Sequence, residues 1–562
     1  MKLLPLTLLL ALICACSTQK LNKSRELNRK GNEVLNLESG VSEADAKKAL
    51  GYYSKAYRKN PKSEVACIGK GLSYYYLGKY DKSLIEYSKA ISLNPNSSTA
   101  YNNRGLTHAE IKQYSEALND YKEAIRLNPI DAILYYNVGH LYMSLDDTLN
   151  SIIYYTKGID RDPYHVSSFY NRGLMFMKVN KYDSAIVDFE RAAELQPSYT
   201  DAYNEWGLCY YYSKRYEQAI PLFYRALKTD STYWFAYTNL GISKKALGQI
   251  RAAEADYKKA LRFDPKDLNT NNNLGNLYFD EMNYDSALVY YSKAVWADST
   301  FSTGYYNRAR IYYNQEKYEK ALAELNTAIH LDSTYSYAYN ERGRVYFQYK
   351  EYNKALENYN AAIRVWPENA VAINNRGLVY EKQEKFALAK TDYLHSIRLD
   401  SLDASTWDNV AGIYNELGNK DSAYACYAHS IKLDSSNSSA YHNRGRMYYF
   451  DGKLKEAMLD YDKAIALDSL NSNAINSRGM LHSQLGHYEK AERDLQKCIR
   501  IKPDYLYPYN NLANCYFKMN RKEEACKYWK IALEKGYKYQ PEWKKEYGID
   551  DPVELVKLHC GP

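Results

Sequence analysis

The chain has 562 residues and carries 75 Lys and Arg against 67 Asp and Glu, a net charge of +8. Its 46% hydrophobic and 25% charged residues are ordinary for a protein with a core, and 26 Gly with 14 Pro are too few for collagen, low-complexity linkers or a loop-rich β-protein. So mild a charge over such a length gives no polyanion-binding signal, and no nucleic-acid partner is expected. Length alone predicts roughly four domains of about 150 residues each. The unusual figure is tyrosine, with 63 residues against 12 Phe and 7 Trp, which implies that some repeated element uses it.

At the N-terminus, Met1-Lys2 precedes an apolar run from Leu3 to Ile13 that is too short to span a bilayer. It ends Ile13-Cys14-Ala15-Cys16-Ser17. This resembles the lipobox of bacterial lipoproteins, in which a small residue precedes the cysteine that receives lipid. Cys16 fits as the acceptor behind small Ala15, and Cys14 does not, because bulky Ile13 would precede its cleavage site. Residues 1–15 are then a signal peptide and 16–23 a lipid-anchored tether. The resemblance implies the bacterial cell envelope, with the outer membrane as the expected location. Seven further cysteines are widely spaced with no C-x-x-C, so no metal site is expected. Cys498, Cys515, Cys526 and Cys560 cluster near the C-terminus, where an exported protein permits disulfides, but spacing leaves their pairing open.

From residue 64 the chain keeps a period of 34 without one insertion. The positions are Gly71, Gly105, Gly139, Gly173, Gly207, Gly241, Gly275, Ala309, Gly343, Gly377, Ala411, Gly445, Gly479 and Ala513. Twelve residues after each comes Ala, or Ser at Ser83 and Ser151. Nineteen after comes Ala, Gly, Ser or Cys, and sixteen after usually a large aromatic such as Tyr87, Phe189 or Tyr257. The pattern resembles the tetratricopeptide repeat, in which these small residues hold positions 8, 20 and 27 of two antiparallel helices, A and B. The resemblance implies an all-α fold, a right-handed α-solenoid. More than half of the tyrosines fall at positions 4, 11, 17 and 24 and read as packing between helices. Gly31, Ala49, Tyr53, Ala56 and Pro61 fit one earlier repeat if the A–B turn, Leu35 to Asp45 with Glu38-Ser39-Gly40, is six residues longer. About fifteen repeats therefore cover 24–539, one solenoid in place of four domains. Residues 540–562, with Trp543 and an amphipathic stretch from Val553 to Leu558, read as a C-terminal cap.

Positions 7 and 23 co-vary within the sequence. Arg104, Arg172, Arg308, Arg376, Arg444 and Arg478 face Asp120, Asp188, Glu324, Asp392, Asp460 and Asp494 sixteen residues on, Arg342 faces Asn358, and Lys70 faces Glu86. Apolar residues at 7 mostly face apolar or aromatic partners, with Leu240 and Asp256 the exception. This predicts ion pairs between helices A and B rather than a binding surface.

Position 6 holds Asn103, Asn137, Asn171, Asn239, Asn273, Asn307, Asn375, Asn409, Asn443 and Asn511, with Gly69, Glu205, Glu341 and Ser477 as exceptions. Asparagine is roughly half a kcal/mol worse than Ala in a helix, so its persistence implies a use. In the family this position faces the concave groove. The row is similar to the asparagine ladder of the O-GlcNAc transferases, where side-chain amides hold the backbone of an extended peptide. An amide offers donor and acceptor together, matching a peptide group without reading its side chain. The opposing reading is that duplication copied a neutral surface residue. Concave Tyr306 and Tyr313 suit peptides or stacking on sugars, and Arg310, Arg344 and Arg446 at position 9 add positive charge. The carboxylate clamp of the family's co-chaperones needs basic residues at position 2, and none of the regular repeats has one.

No P-loop, H-E-x-x-H or G-x-S-x-G occurs, and the segment after the last repeat is too short for a catalytic domain. The expectation is a non-enzymatic, lipid-anchored scaffold without catalytic residues or cofactors, binding a peptide or protein partner in its groove. The alternative is a glycan- or peptidoglycan-binding lipoprotein that uses the concave tyrosines.

Overall fold

The computed structural model describes residues 6–35, 40–540 and 550–561, with side chains from residue 17 onward. The Cys16 side chain, Glu38, Ser39 and Trp543 lie outside the described residues. Among the described residues there are thirty-one helices and no strand. The protein forms two units, residues 1–293 and 294–562.

Each regular repeat is a helix A of twelve or thirteen residues and a helix B of twelve to fourteen, as in Ser98–Glu110 with Tyr114–Leu127. Helix A commonly starts at a capping Ser, Asp or Asn whose side chain accepts a backbone N–H, for instance Ser97 from Ala100 and Asn369 from Ala372. Helix B stops at Leu93 before Asn94-Pro95 and at Leu433 before Asp434-Ser435. In the latter, Asp434 Oδ1 accepts from the Ser436 N–H and hydroxyl and fixes the turn.

Side chains at position 24 fill the space between helices. Tyr87, Tyr121, Tyr257, Tyr359, Tyr393 and Tyr461 are buried, as are Phe189 and Phe223. Each lies flat on the small residue at position 8. A Cβ added to Gly241 would stand 2.5 Å from the Tyr257 ring, so the glycine is kept for close approach. The small residues at 20 and 27 are buried as well, among them Ala253 and Ala260. Tyrosines at positions 4, 11 and 17 are mostly half-buried and flank this core. In the first repeat Gly31 meets Tyr53 in the same way. Its helix A runs within Leu6–Val34, in which Ser17 to Lys23 are exposed and Ser24 is buried, donating to the Ala56 carbonyl at 3.0 Å.

All six expected ion pairs form. The Arg–carboxylate distances are 2.7 Å at Arg104–Asp120 and Arg172–Asp188, 2.6 Å at Arg308–Glu324, and 2.8 Å at Arg376–Asp392, Arg444–Asp460 and Arg478–Asp494. Lys70 meets Glu86 at 2.9 Å, and Arg342 donates to Asn358 at 2.7 Å. The exception resolves itself, because Asp256 opposite Leu240 is paired by Lys244 from one turn further along helix A. The guanidinium also reaches back to helix B of the preceding repeat. Arg104 donates to Ser88, Arg172 to Thr156, Arg342 to Asn326, Arg376 to Asn360 and Arg478 to Asp462. Each of these arginines therefore ties three helices together.

The C-terminal end is closed by helix Pro552–His559. Its Leu555 and Val556 pack on the cluster around buried Trp529, and a disulfide joins Cys560 to Cys526, 34 residues earlier. That settles the pairing left open by the sequence, since Cys498 and Cys515 are free and buried.

Candidate peptide-binding face

Helices A of consecutive repeats touch one another in both units, whereas helices B of consecutive repeats make no comparable contact. This asymmetry puts helices A on the inner side of the curve within each unit. Positions 2, 5, 6, 9, 12 and 13 of helix A face that side.

The asparagines of position 6 are half-buried, apart from Asn307 and Asn511, which are buried. Seven of their amides are tied to position 5 of the preceding repeat, 35 residues back. Asn137 donates to Asn102 at 2.8 Å, Asn239 to Asn204 at 2.8 Å, Asn375 to Asn340 at 2.9 Å, Asn409 to Asn374 at 3.0 Å and Asn511 to Asn476 at 3.0 Å. Asn171 donates to the Tyr136 hydroxyl at 3.2 Å and Asn443 to Asp408 at 3.3 Å. Asn103 follows Ile68, which cannot accept, and its oxygen takes a bond from Asn102 instead. Asn273 follows Thr238, which bonds Thr270. The sequence reading missed these position-5 partners. The signal was there in the doublets Asn102-Asn103, Asn374-Asn375 and Asn510-Asn511. One N–H of each tied amide goes to the neighbouring repeat, which fixes the plane of the amide.

The concave tyrosines named from sequence are packed against cations. Arg344 lies over the Tyr313 ring at 4.4 Å, Gln348 donates to the Tyr313 hydroxyl, and Arg310 lies over Tyr306 at 5.8 Å. Arg344 is also paired with Glu341 at 2.9 Å.

Two carboxylates on this face are perturbed. Burial pushes Glu205 up, against a hydrogen bond from Asn204 and with Asp201 adding to the rise. Burial likewise raises Asp408 to about 6, against the Asn443 bond. A carboxyl whose pKa is higher in the folded protein stabilises the fold fully below its unfolded value of about 3.9, and that contribution is lost as pH rises through about 6. Asp408→Asn is therefore expected to raise stability at pH 7 by about 1–2 kcal/mol. The gain should vanish below about pH 4, as read by thermal melts across that range.

In the second unit the face deepens into a cavity of about 480 Å³. Its walls include His442, Asn443, Arg446, Tyr449, Asn473, Tyr507 and Asn511. His442 is buried, meets the Ser477 hydroxyl at 3.1 Å, and is held down to about 4 by burial and by Arg446, so it is neutral at pH 7. Among the described residues no cluster of His, Cys, Asp and Glu could hold a metal ion, and no helix is long and apolar enough to cross a membrane.

Family profiles described as TPR repeat match residues 71–112, 309–349 and 343–384, and profiles described as Tetratricopeptide repeat match 98–131 and 166–199. A further Tetratricopeptide repeat profile matches 132–165, 236–267, 370–401, 404–437, 438–469, 472–505 and 506–541. Among curated proteins none matches. Among solved structures, the APC/C hetero-tetramer Cut9-Hcn1 is similar at 14% identity and a TM-score of 0.42, covering 78% of this protein and 93% of that one. Yeast Tom70 is similar at 13% identity and a TM-score of 0.36, covering 82% and 95%. Pseudomonas aeruginosa pilF is similar at 22% identity and a TM-score of 0.34, covering 38% and 96%.

Proposed function

The chain belongs to the tetratricopeptide repeat family, and from that premise we propose that it is a non-enzymatic scaffold, anchored to the bacterial cell envelope through lipid on Cys16, that holds extended polypeptide segments along helices A. The observation that carries the reading is the row of position-6 amides, seven of them pre-oriented by the repeat before. A peptide backbone presents alternating donors and acceptors, and an amide with its plane already fixed loses little freedom on meeting them. The candidate contacts are Asn103, Asn137, Asn171, Asn239, Asn273, Asn307, Asn375, Asn409, Asn443 and Asn511. Peptides are favoured over glycans because Tyr306 and Tyr313, the concave rings singled out for sugar stacking, each already carry an arginine, Arg310 and Arg344, over the ring. The test is to pass a pool of random peptides and a pool of cell-wall glycan fragments over the immobilised protein. Retention of peptides supports the scaffold, and retention of glycans alone replaces it with the alternative.

Two features support export and anchoring. The Cys526–Cys560 disulfide suits an oxidising compartment. Ser17 to Lys23 are exposed, as a segment between a lipid and a folded domain must be. Those seven residues are helical and span about 10 Å at about 1.5 Å each, against about 25 Å if extended, so the first repeat would stand close to the bilayer. Mass spectrometry of the mature protein is expected to find an acylated Cys16 as its first residue and no acylation in Cys16→Ala. An unacylated wild-type N-terminus would remove the anchor from the account.

A further inference from the structure

The cavity of the second unit differs from the rest of the inner face in its charge. Among its described lining residues Arg446 is the one ionised side chain, since His442 is neutral at pH 7. One arginine at the same register offers a comparison. Arg344, also at position 9, is neutralised by Glu341 at position 6 of the same helix, three residues earlier. In the helix Ser438–Phe450 the position-6 residue is Asn443, and Arg446 forms no ion pair among the described residues. Arg446 is exposed to the cavity, and so is the Asn473 amide from the next repeat. Asp408, on helix A of the preceding repeat, is bonded to Asn443 and lies outside the lining.

We propose that this cavity takes a carboxylate of the bound polypeptide, an Asp or Glu side chain or a free C-terminus, with Arg446 as its counter-ion. The assignment rests on the peptide-scaffold reading and narrows it to acidic segments. The other wall residues fit that occupant. Tyr449, Phe450 and Tyr507 supply large apolar surfaces with little rotamer entropy to lose, and Asn473 and Asn511 supply amides for the peptide groups on either side of the acid. A volume of about 480 Å³ lies within the range of small-ligand pockets and admits a short stretch of polypeptide rather than a folded domain. An arginine meets a carboxylate through two parallel N–H bonds, so it discriminates against the isosteric amide.

The test uses the full-length protein, immobilised, and two pools of random octapeptides, one with amidated and one with free C-termini. Retained peptides are identified by mass spectrometry for the wild type, Arg446→Gln and Arg446→Lys. The wild type is expected to enrich Asp and Glu over Asn and Gln in the amidated pool, or free over amidated termini, by about tenfold or more; which of the two occurs identifies the source of the carboxylate. Arg446→Gln is expected to abolish that enrichment while neutral peptides stay bound, and Arg446→Lys to keep part of it. Because Arg446 is exposed and forms no ion pair among the described residues, melting curves of the variants should match the wild type. Peptide retention with no acidic preference, or a preference unchanged in Arg446→Gln, overturns the assignment and leaves the scaffold reading standing. No peptide retention by the wild type overturns both.

Discussion

Arg376→Val alone is expected to destabilise its repeat by about 3 kcal/mol, whereas Arg376→Val combined with Asp392→Leu recovers most of the loss. The single change strands the Asp392 carboxylate, which is 5% exposed and now receives two guanidinium bonds at 2.8 Å. It also removes the bond to Asn360 in the preceding helix B. A buried charge without its partner is far costlier than the pair is valuable, because the Coulomb gain of the pair mostly repays its own desolvation. The protein supplies its own precedent for the double variant, since other repeats carry Val138 opposite Tyr154, Trp206 opposite Leu222 and Val410 opposite Cys426 at the same two positions. Solenoids unfold locally, so the readout is hydrogen exchange in the helices Ala370–Lys382 and Phe386–Leu399. Equal loss of protection in the single and double variants would mean that the arginine acts through something other than Asp392.

Reducing the Cys526–Cys560 bond is expected to release the terminal helix. Closing a loop of 34 residues removes about 3–4 kcal/mol of unfolded-state entropy. Among the described residues the helix is also held by the packing of Leu555 and Val556, by buried Pro552 and by the contact of His559 with Phe517 at 4.7 Å. Cys526→Ser with Cys560→Ser should therefore expose Lys557 to trypsin and lower the melting temperature of the last repeats, with the first unit unaffected. Unchanged protection of Lys557 would show that packing alone holds the cap. The cap covers the apolar end of the solenoid around Trp529, which a repeat array must shield to stay soluble.

The repeat, its small-residue ladder and the Arg–acid pairs were legible in the sequence for one physical reason: each involves two positions inside a single 34-residue unit, and fourteen copies of the unit show the covariation without any alignment. The inter-repeat contacts were not. Asn375 finds Asn340 and Arg376 finds Asn360 across the boundary between units of the pattern, where reading one column at a time pairs nothing. The left-handed residue in the A–B turn was hidden differently. It is Gly at Gly78 and Gly248, but Lys112, Met282 and Glu384 adopt the same positive φ, so no residue type marks it. The disulfide joins cysteines one repeat apart, and Cys498 and Cys515 were equally eligible until the terminal helix was placed on the last repeat. Arg446 looked like Arg310 and Arg344 in its column. The missing carboxylate three residues earlier separates it from Arg344 but not from Arg310, which follows Asn307, and only the cavity sets it apart from both.

The structure gives the position-6 asparagines a structural occupation, and the central claim is that they also hold peptide. The two roles separate in one calorimetric experiment with a peptide recovered from the pool. Replacing Asn375, Asn409 and Asn443 by Ala removes three inter-repeat bonds and three groove amides. Replacing their partners Asn340, Asn374 and Asp408 by Ala removes the same bonds and leaves the amides in place. At about 1 kcal/mol per amide, the first variant is expected to bind about 100-fold more weakly than the wild type, and the second to lose about tenfold or less. Equal losses in the two variants, matched by equal drops in melting temperature, would contradict the account and leave the ladder as a device for joining repeats.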